Sequence, residues 1–565
     1  METRPQTSPR LAAANANLGL ARLDLAAFAL ALIFLLSGLF TLGNYGISWD
    51  EGLGNMFFGN RYAQYLLGFD EKYLDFATIL PEEQAGMLQL EQYTPFRDRA
   101  HEFPGLIDTL SASFMRVFAY QLGLADPVDA FHSFTIVLAA IALLLQYYYV
   151  TRLASRPVAF ISMLLVATYP RFWGDMHFNP KDVPEAVLFG LAVLSFAVWA
   201  NKPSWSAAVA PGIFTGLALG VKANALFIPV VLVAWLMLWL VHGRQGWQNL
   251  AGLLRNWQHV PMMGLLATLT YWASWPLLYT RPGMARLYFE YIFSQGGRSA
   301  KGEWSFQPLR MLVSASPEIF LLLLALGMGA AVVALARRDA NARWYGLLLV
   351  WMAIPIARIS APMSVNFDGV RHYLEFLPAA AILAAAGSWQ VVMWLRSRHE
   401  LLFTAATAFL ITYFFVNITQ AHSFYHPYQY IYFNQISGGS AGARQVFKQS
   451  EVTDYWAVSY RQGLEWLNAN APQGTMLNVA VGDYLVEIPA ANWLRPDITL
   501  VSASQLADLQ AKGKKVYLMH ITRPSFYKGA AKACVGTQPV YQKYVAGISV
   551  LQVHDLARCP ADAAQ

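Results

Sequence analysis

Long apolar runs constrain this chain more than anything else in it. A stretch of roughly 17–25 mostly apolar residues can cross the hydrocarbon core of a bilayer as a helix. The sequence has about eleven candidates: 24–44, 128–149, 157–172, 184–200, 206–221, 225–241, 258–276, 316–336, 344–361, 373–395 and 401–419. Only 13% of the 565 residues are charged and 56% are hydrophobic, whereas a soluble domain carries about 25% charged residues. The expected fold is therefore a polytopic α-helical membrane protein. The net charge of +6 does not point to nucleic acid, because the basic residues are scattered through short loops rather than gathered on one face. The first run is too long for the apolar core of a signal peptide and no cleavage site follows it, so it is expected to stay as an anchor. A polar cytoplasmic tail, 1–23, with Arg4, Arg10 and Arg22, precedes it.

Charge placement orients the spans. With the N-terminus inside, the inner turns carry Arg152 and Arg156, then Lys202, then Arg244 and Arg255, then Arg337, Arg338 and Arg343, then Arg396 and Arg398. Every inner turn is then basic, as the positive-inside rule requires. The membrane region runs over 24–419, with long outer loops at 45–127 and 277–315, and an odd number of spans leaves 420–565 outside. In the first outer loop, Phe103, Leu106, Ile107, Leu110, Phe114, Val117 and Phe118 recur at helical spacing. Such a helix lies either on the membrane surface or against the protein's own core. The tail changes composition: helices are expected at 460–470 and 502–511, the second capped by Ser502 or Ser504. Strands are expected at 476–481, 498–501, 515–521 and 548–553. This reads as a small extracytoplasmic α/β domain. The only cysteines, Cys534 and Cys559, both lie in it, and in an oxidising compartment they can form a disulfide.

Charge that an apolar chain keeps at its membrane boundaries must be solvated, paired or used. Asp50 and Glu51 follow the first span; they read as a general base with an orienting or metal-binding acid, or as a solvated helix end. Between spans three and four, Asp175, His177, Asp182 and Glu185 offer acids, bases or metal ligands, although their spacing fits no closed zinc motif; Asp182 capping the next helix is the plainer alternative. Lys222 follows span five and needs an anionic partner, which a lipid phosphate would supply. Arg371, beside His372, can grip phosphate in a bidentate fork. A nucleophile elbow, a P-loop, a Rossmann fingerprint and an HExxH helix are all absent from the sequence.

Taken in order, these features resemble the GT-C class of membrane glycosyltransferases. Within it they are similar to the bacterial lipid-carrier-dependent branch related to protein O-mannosyltransferases and the lipid A aminoarabinose transferase. The acidic pair Asp50-Glu51, the acid Asp182 with Asp175 behind it, Lys222, the run Asp368-Gly369-Val370-Arg371-His372 and the run His426-Pro427-Tyr428-Gln429-Tyr430 carry the resemblance. It implies a sugar donor on polyprenyl phosphate and inverting transfer, on the periplasmic side of a bacterial inner membrane, to a protein hydroxyl or an envelope glycan or lipid. Asp50 would be the base, Asp182 and Glu51 further catalytic acids, and Lys222, Arg371 and His372 the phosphate site. It leaves a divalent cation open and implies no nucleotide cofactor. Two rival readings remain: a transporter or flippase of lipid-linked sugar, which calls for charges in mid-span and broken helices, and a non-catalytic scaffold.

Overall fold

The computed structural model describes residues 9–78, 80, 98–102, 104–242, 255–298, 302–362, 364 and 366–560. Arg4, Phe103, Arg244 and Lys301 lie outside the described residues. A helix stands at each of the eleven apolar runs: α1 (Pro9–Thr41), α2 (Pro127–Leu153), α3 (Arg156–Ala167), α4 (Asp182–Asn201), α5 (Trp205–Leu219), α6 (Phe227–His242), α7 (His259–Ser274), α8 (Glu318–Arg337), α9 (Ala342–Ser360), α10 (Phe376–Arg398) and α11 (Glu400–Tyr425). Among the described residues, eight helical segments are long and apolar enough to cross a membrane, and α3 and α5 are shorter apolar helices. The run expected at 157–172 is cut by its own sequence. Pro170 starts a new helix, Pro170–Asp175, because the residue before a proline is pushed out of the helical region.

Local chemistry sets the helix ends. Pro127 sits in the first turn of α2, and Asp126 caps it by accepting the Val128 N–H at 2.9 Å. Asp182 does not cap α4, whose N-cap is Lys181; in the turn before it, Asn179 Oδ1 accepts the N–H groups of Lys181 and Asp182 at 3.1 and 2.9 Å. That leaves the Asp182 carboxylate available for other partners. α4 and the first half of α10 are buried on all sides, whereas α11 is almost wholly exposed along its apolar surface. Helices apolar all round are central in a membrane bundle, so α4 and α10 form its centre and α11 faces lipid. Gly387 of α10 lies against the backbone of Gly327 of α8, an approach that any side chain would block.

The helix in the loop between α1 and α2, Leu106–Phe114, continues as a wider turn over Met115–Gln121. Ile107, Ala112, Met115 and Ala119 are buried while Leu110, Val117 and Phe118 are exposed. One face therefore packs on the protein, and a second apolar face is left outside.

The tail carries a five-stranded sheet ordered β2-β1-β3-β5-β4, with β1 (Met476–Val479), β2 (Thr499–Leu500), β3 (Val516–Ile521), β4 (Tyr541–Val545) and β5 (Ile548–Asp555). β1, β2 and β3 are parallel, and β5 pairs antiparallel with both β3 and β4. α12 (Tyr460–Asn470) packs on β3 and β5 through Leu464 and Leu467. Ser502 and Gln505 form a capping box ahead of α13 (Leu506–Ala511). Cys534 and Cys559 are bonded, with Cα atoms 5.0 Å apart. The edge strand β4 has no counterpart among the expected strands; its polar Gln542 and Lys543 blur the apolar alternation that marks the others.

The boundary between membrane domain and tail is interlocked. Residue 420 lies inside α11, and Tyr428, Tyr430, Ile431 and Phe433 are buried in the same core as the membrane helices. Arg461 of α12 grips Asp129 of α2 in a fork at 2.6 and 3.1 Å and donates to the Tyr45 carbonyl at 3.0 Å. Asp454, early in the tail, is a backbone clamp. Asp454 accepts the N–H groups of Trp456, Ala457, Val458 and Ser459 and the hydroxyl of Tyr430.

Candidate active site

Asp50 ends the turn that leaves α1. The tail domain holds this turn from the outside. Trp49 donates through Nε1 to the Tyr455 carbonyl at 2.7 Å and packs its ring near Tyr484 and Phe526. Asp50 itself is half-buried, and among the described residues its carboxylate forms no hydrogen bond or ion pair. Burial raises its pKa above the usual carboxylate value, against the pull of Arg371, Lys181 and Lys222 and with the push of Asp182. Asp50 therefore sits within the field of charged residues drawn from the segments before α4, after α5 and before α10.

Its neighbour is differently placed. Glu51 is fully buried: Oε2 accepts the Ser48 N–H at 2.7 Å, and Oε1 meets Nε2 of His132 in a short contact. It ties the turn to α2. The expectation of Glu51 as a catalytic acid finds no support in this geometry, since both oxygens already serve the fold.

Asp182 is the hub of the cations. Its Oδ1 accepts Lys222 Nζ at 2.5 Å, and its Oδ2 accepts Asn179 Nδ2 at 2.8 Å and lies 3.5 Å from Arg371 Nη1. The side chain is almost fully buried, at 2% exposure, so the carboxylate is held rather than free. Lys222 has found the anionic partner its sequence position demands, and that partner is a side chain. Arg371 also pairs with Asp368 at 3.1 Å and lies over the ring of Trp456, 4.4 Å from its centroid. Burial works against its charge, yet Asp368, Asp182 and Asp50 together hold its pKa above the ordinary arginine value.

The turn that presents Arg371 is unusual backbone. Asp368 and Gly369 have φ of 60° and 75°, the left-handed region that favours glycine. Gly369 lies flat on the guanidinium of Arg171, where a side chain would collide, and donates its N–H to Glu451 at 2.7 Å. Arg171 is itself buried, donating to the Tyr432 carbonyl at 3.0 Å and lying near the Tyr455 hydroxyl at 3.4 Å. Asp368 reaches the tail as well, through Arg523 at 3.2 Å.

The remaining expected residues divide. Asp175 is buried near Arg171, Arg371 and Asp182; burial and Asp182 push its pKa well up, which favours the neutral acid. His372 is half-buried beside Phe367, and its buried Nε2 has no hydrogen bond among the described residues; desolvation, then Arg371 and Lys222, pushes its pKa well below the ordinary histidine value. His177 is not part of this cluster. Its ring stacks on Tyr45 at 3.8 Å, with Nε2 on Thr41 Oγ1 and Nδ1 on the Trp173 carbonyl. Burial lowers its pKa to about 3, so it is a neutral packing group at the end of α1. No group of three His, Cys, Asp or Glu side chains is placed to hold a metal ion among the described residues.

Other charged pairs lie near these residues without an expectation from the sequence. Lys181 pairs with buried Asp108 at 2.9 Å, and Asp108 also accepts Asn55 at 2.8 Å. Arg358 pairs with Glu375 at 2.7 Å and donates to the His372 carbonyl. Asp108 sits in the helix Leu106–Phe114, among its buried residues. Arg523, far along in the tail, carried no signal in the sequence.

No family model and no curated protein matches this sequence. Among solved structures the chain is similar to ArnT from Cupriavidus metallidurans bound to undecaprenyl phosphate, at 13% identity and TM-score 0.48, over 94% of this chain and 97% of that one. It is also similar to the oligosaccharyltransferase of Archaeoglobus fulgidus in complex with Zn and sulfate, at 12% identity and TM-score 0.46, over 88% of this chain and 68% of that one. A third is the arabinofuranosyltransferase AftD from Mycobacteria, at 13% identity and TM-score 0.36, over 94% of this chain and 40% of that one. At these identities and TM-scores the likenesses assign no activity, substrate or partner.

Proposed function

We propose that the chain is a membrane glycosyltransferase that moves a sugar from a polyprenyl-phosphate carrier to an acceptor hydroxyl at the outer membrane face. The observation that carries this reading is the Asp50 carboxylate, unpaired among the described residues and set in the field of Lys222 and Arg371. A carboxylate of raised pKa is a competent proton acceptor. Cations already gathered beside it can receive the negative charge of a leaving phosphate.

The step is a single displacement. Asp50 takes the proton of the acceptor hydroxyl, the acceptor oxygen bonds to the anomeric carbon, and the bond from that carbon to the phosphate oxygen breaks. Inversion follows from attack opposite the leaving group. Lys222 and Arg371 receive the polyprenyl phosphate, either by sharing their charge with Asp182 or by exchanging it. Arg371 Nε and His372 Nε2 are buried without hydrogen-bond partners among the described residues, and a phosphate oxygen would satisfy them. Asp182 acts in this reading as the clasp that keeps the cations together when no donor is bound, and Asp175 as a neutral neighbour. The ordered resemblance of the acidic pair, Lys222 and the Asp368–His372 run to lipid-carrier-dependent glycosyltransferases supports the same reading. The acceptor is a protein hydroxyl or an envelope glycan or lipid, and the site faces the periplasm of a bacterial inner membrane.

The test uses the protein in liposomes with polyprenyl-phosphate mannose labelled in the sugar, and a hydroxyl acceptor. Label is expected in a covalent product, with release of polyprenyl phosphate. Label that crosses the bilayer still attached to its lipid would replace this reading with that of a transporter.

A further inference from the structure

A cavity lined by none of the residues of the Asp50 cluster lies where the start of α8 and the end of α11 meet the tail. Its volume is about 440 Å³, within the range of about 300–1,000 Å³ typical of small-molecule sites. Its floor is Glu318, which opens α8. Oε1 of Glu318 accepts the Gln435 N–H at 2.5 Å, and Oε2 accepts Asn417 Nδ2 at 2.5 Å and lies 3.4 Å from the Tyr432 hydroxyl. A carboxylate offers about four acceptor sites, so the floor can still accept a further hydroxyl. The side chains of Gln420 and Gln435 and the hydroxyl of Ser440 add carboxamide and hydroxyl groups, beside the rings of Tyr425 and Phe424.

The tail supplies the roof. Ala546 lines the cavity from the tight turn joining β4 and β5, where Ala546 and Gly547 have φ of 47° and 79°. Val545, Ile548 and Val550 of that hairpin are buried in the core shared with the membrane helices, so the roof is fixed. On the membrane side, α11 exposes Ile411, Phe415, Val416 and Phe424. A partly open cavity, with a buried carboxylate, carboxamides and hydroxyls set in an otherwise mostly apolar lining, thus stands at the end of an apolar lipid-facing helix.

We propose that this cavity binds the uncharged, hydroxyl-rich headgroup of a membrane glycolipid, with its chains lying along α11. The polar groups present are a carboxylate, carboxamides and hydroxyls, and no lysine, arginine or histidine lines the cavity among the described residues. A phosphate headgroup would meet the charge of Glu318 with nothing to offset it, whereas sugar hydroxyls donate to it and to the carboxamides. Ring faces at the edge suit the apolar side of a sugar. The cavity is separate from the cation cluster, and its ligand does not depend on the transfer reaction.

The test is native mass spectrometry of the full chain released from nanodiscs that hold monoglucosyl diacylglycerol, phosphatidylglycerol and diacylglycerol in equal amounts. The glucosyl lipid is expected to be retained at least about fivefold over the other two. Gln420→Trp, at an exposed lining position, is expected to abolish that preference while leaving the thermal transition in place. Gln435→Trp repeats the block from the tail side should the first variant fail to fold. Equal retention of the three lipids, preference for phosphatidylglycerol, or an unchanged preference in a folded tryptophan variant would each overturn the proposal.

Discussion

Two segments each bring acids to this cluster, and Asp50 of the first and Asp182 of the second are used in opposite ways. The turn after α1 places Asp50 and Glu51 side by side, one without a partner and the other locked onto His132 and the Ser48 N–H. The turn before α4 places Asp182 among Asn179, Lys222 and Arg371, and every one of its known contacts is an engaged one. Both segments are acidic and both lie at the same face. What separates them is whether the structure has already satisfied the carboxylate. A buried acid bridged by cations is a structural group unless a ligand displaces it, whereas an acid kept unpaired beside the same cations is available for chemistry.

The contrast breaks most visibly at Asp50. Asp50→Asn preserves shape and removes the base; sugar transfer should fall about 10³-fold, with the thermal transition unchanged. An equal fall in transition temperature would turn Asp50 into another structural acid. Asp182→Asn should do the reverse first: with the partly buried Lys222 and Arg371 less balanced, unfolding stability should drop by about 2 kcal/mol, measured by denaturant titration in detergent. Retained stability would mean that the two cations do not need their clasp. Glu51→Gln should cost about 2 kcal/mol and leave turnover within about tenfold of the native rate; a loss as deep as that of Asp50→Asn would make the pair a joint catalytic unit. Arg523→Gln tests the reach of the tail. It removes the contact with Asp368 and should lower stability by about 1.5 kcal/mol, read as earlier proteolysis of the tail, with a weaker affinity for donor.

Much of this was legible in the sequence. The apolar runs placed a helix at each of eleven positions, because length and apolarity act locally. Asp50, Asp182, Lys222 and Arg371 stood out because charge at a membrane boundary is costly unless it has a purpose. What the sequence did not carry is which purpose. Glu51 differs from Asp50 only through His132, 81 positions away, and His177 reads as a ligand until Tyr45 is seen stacked on it. Asp182 as a helix cap was a sound local reading, yet Asn179 takes the N–H groups and releases the acid to the cations. The break in α3 was written in Pro170, but a continuous apolar run hid it. Arg523 and the strand β4 belong to long-range packing that no local pattern announces.

The central claim is that Asp50 accepts the acceptor's proton, and the pH dependence of turnover tests it most directly. Asp50 must be ionised to act, and burial holds its pKa above the usual carboxylate value. Turnover at saturating donor should therefore be full at high pH and fall as pH drops through that raised pKa, about tenfold per unit below it. In Asp50→Asn the residual rate should lose this acid limb and become flat over the same range. An acid limb that persists unchanged in a folded Asp50→Asn protein would assign the proton to another group and contradict the account.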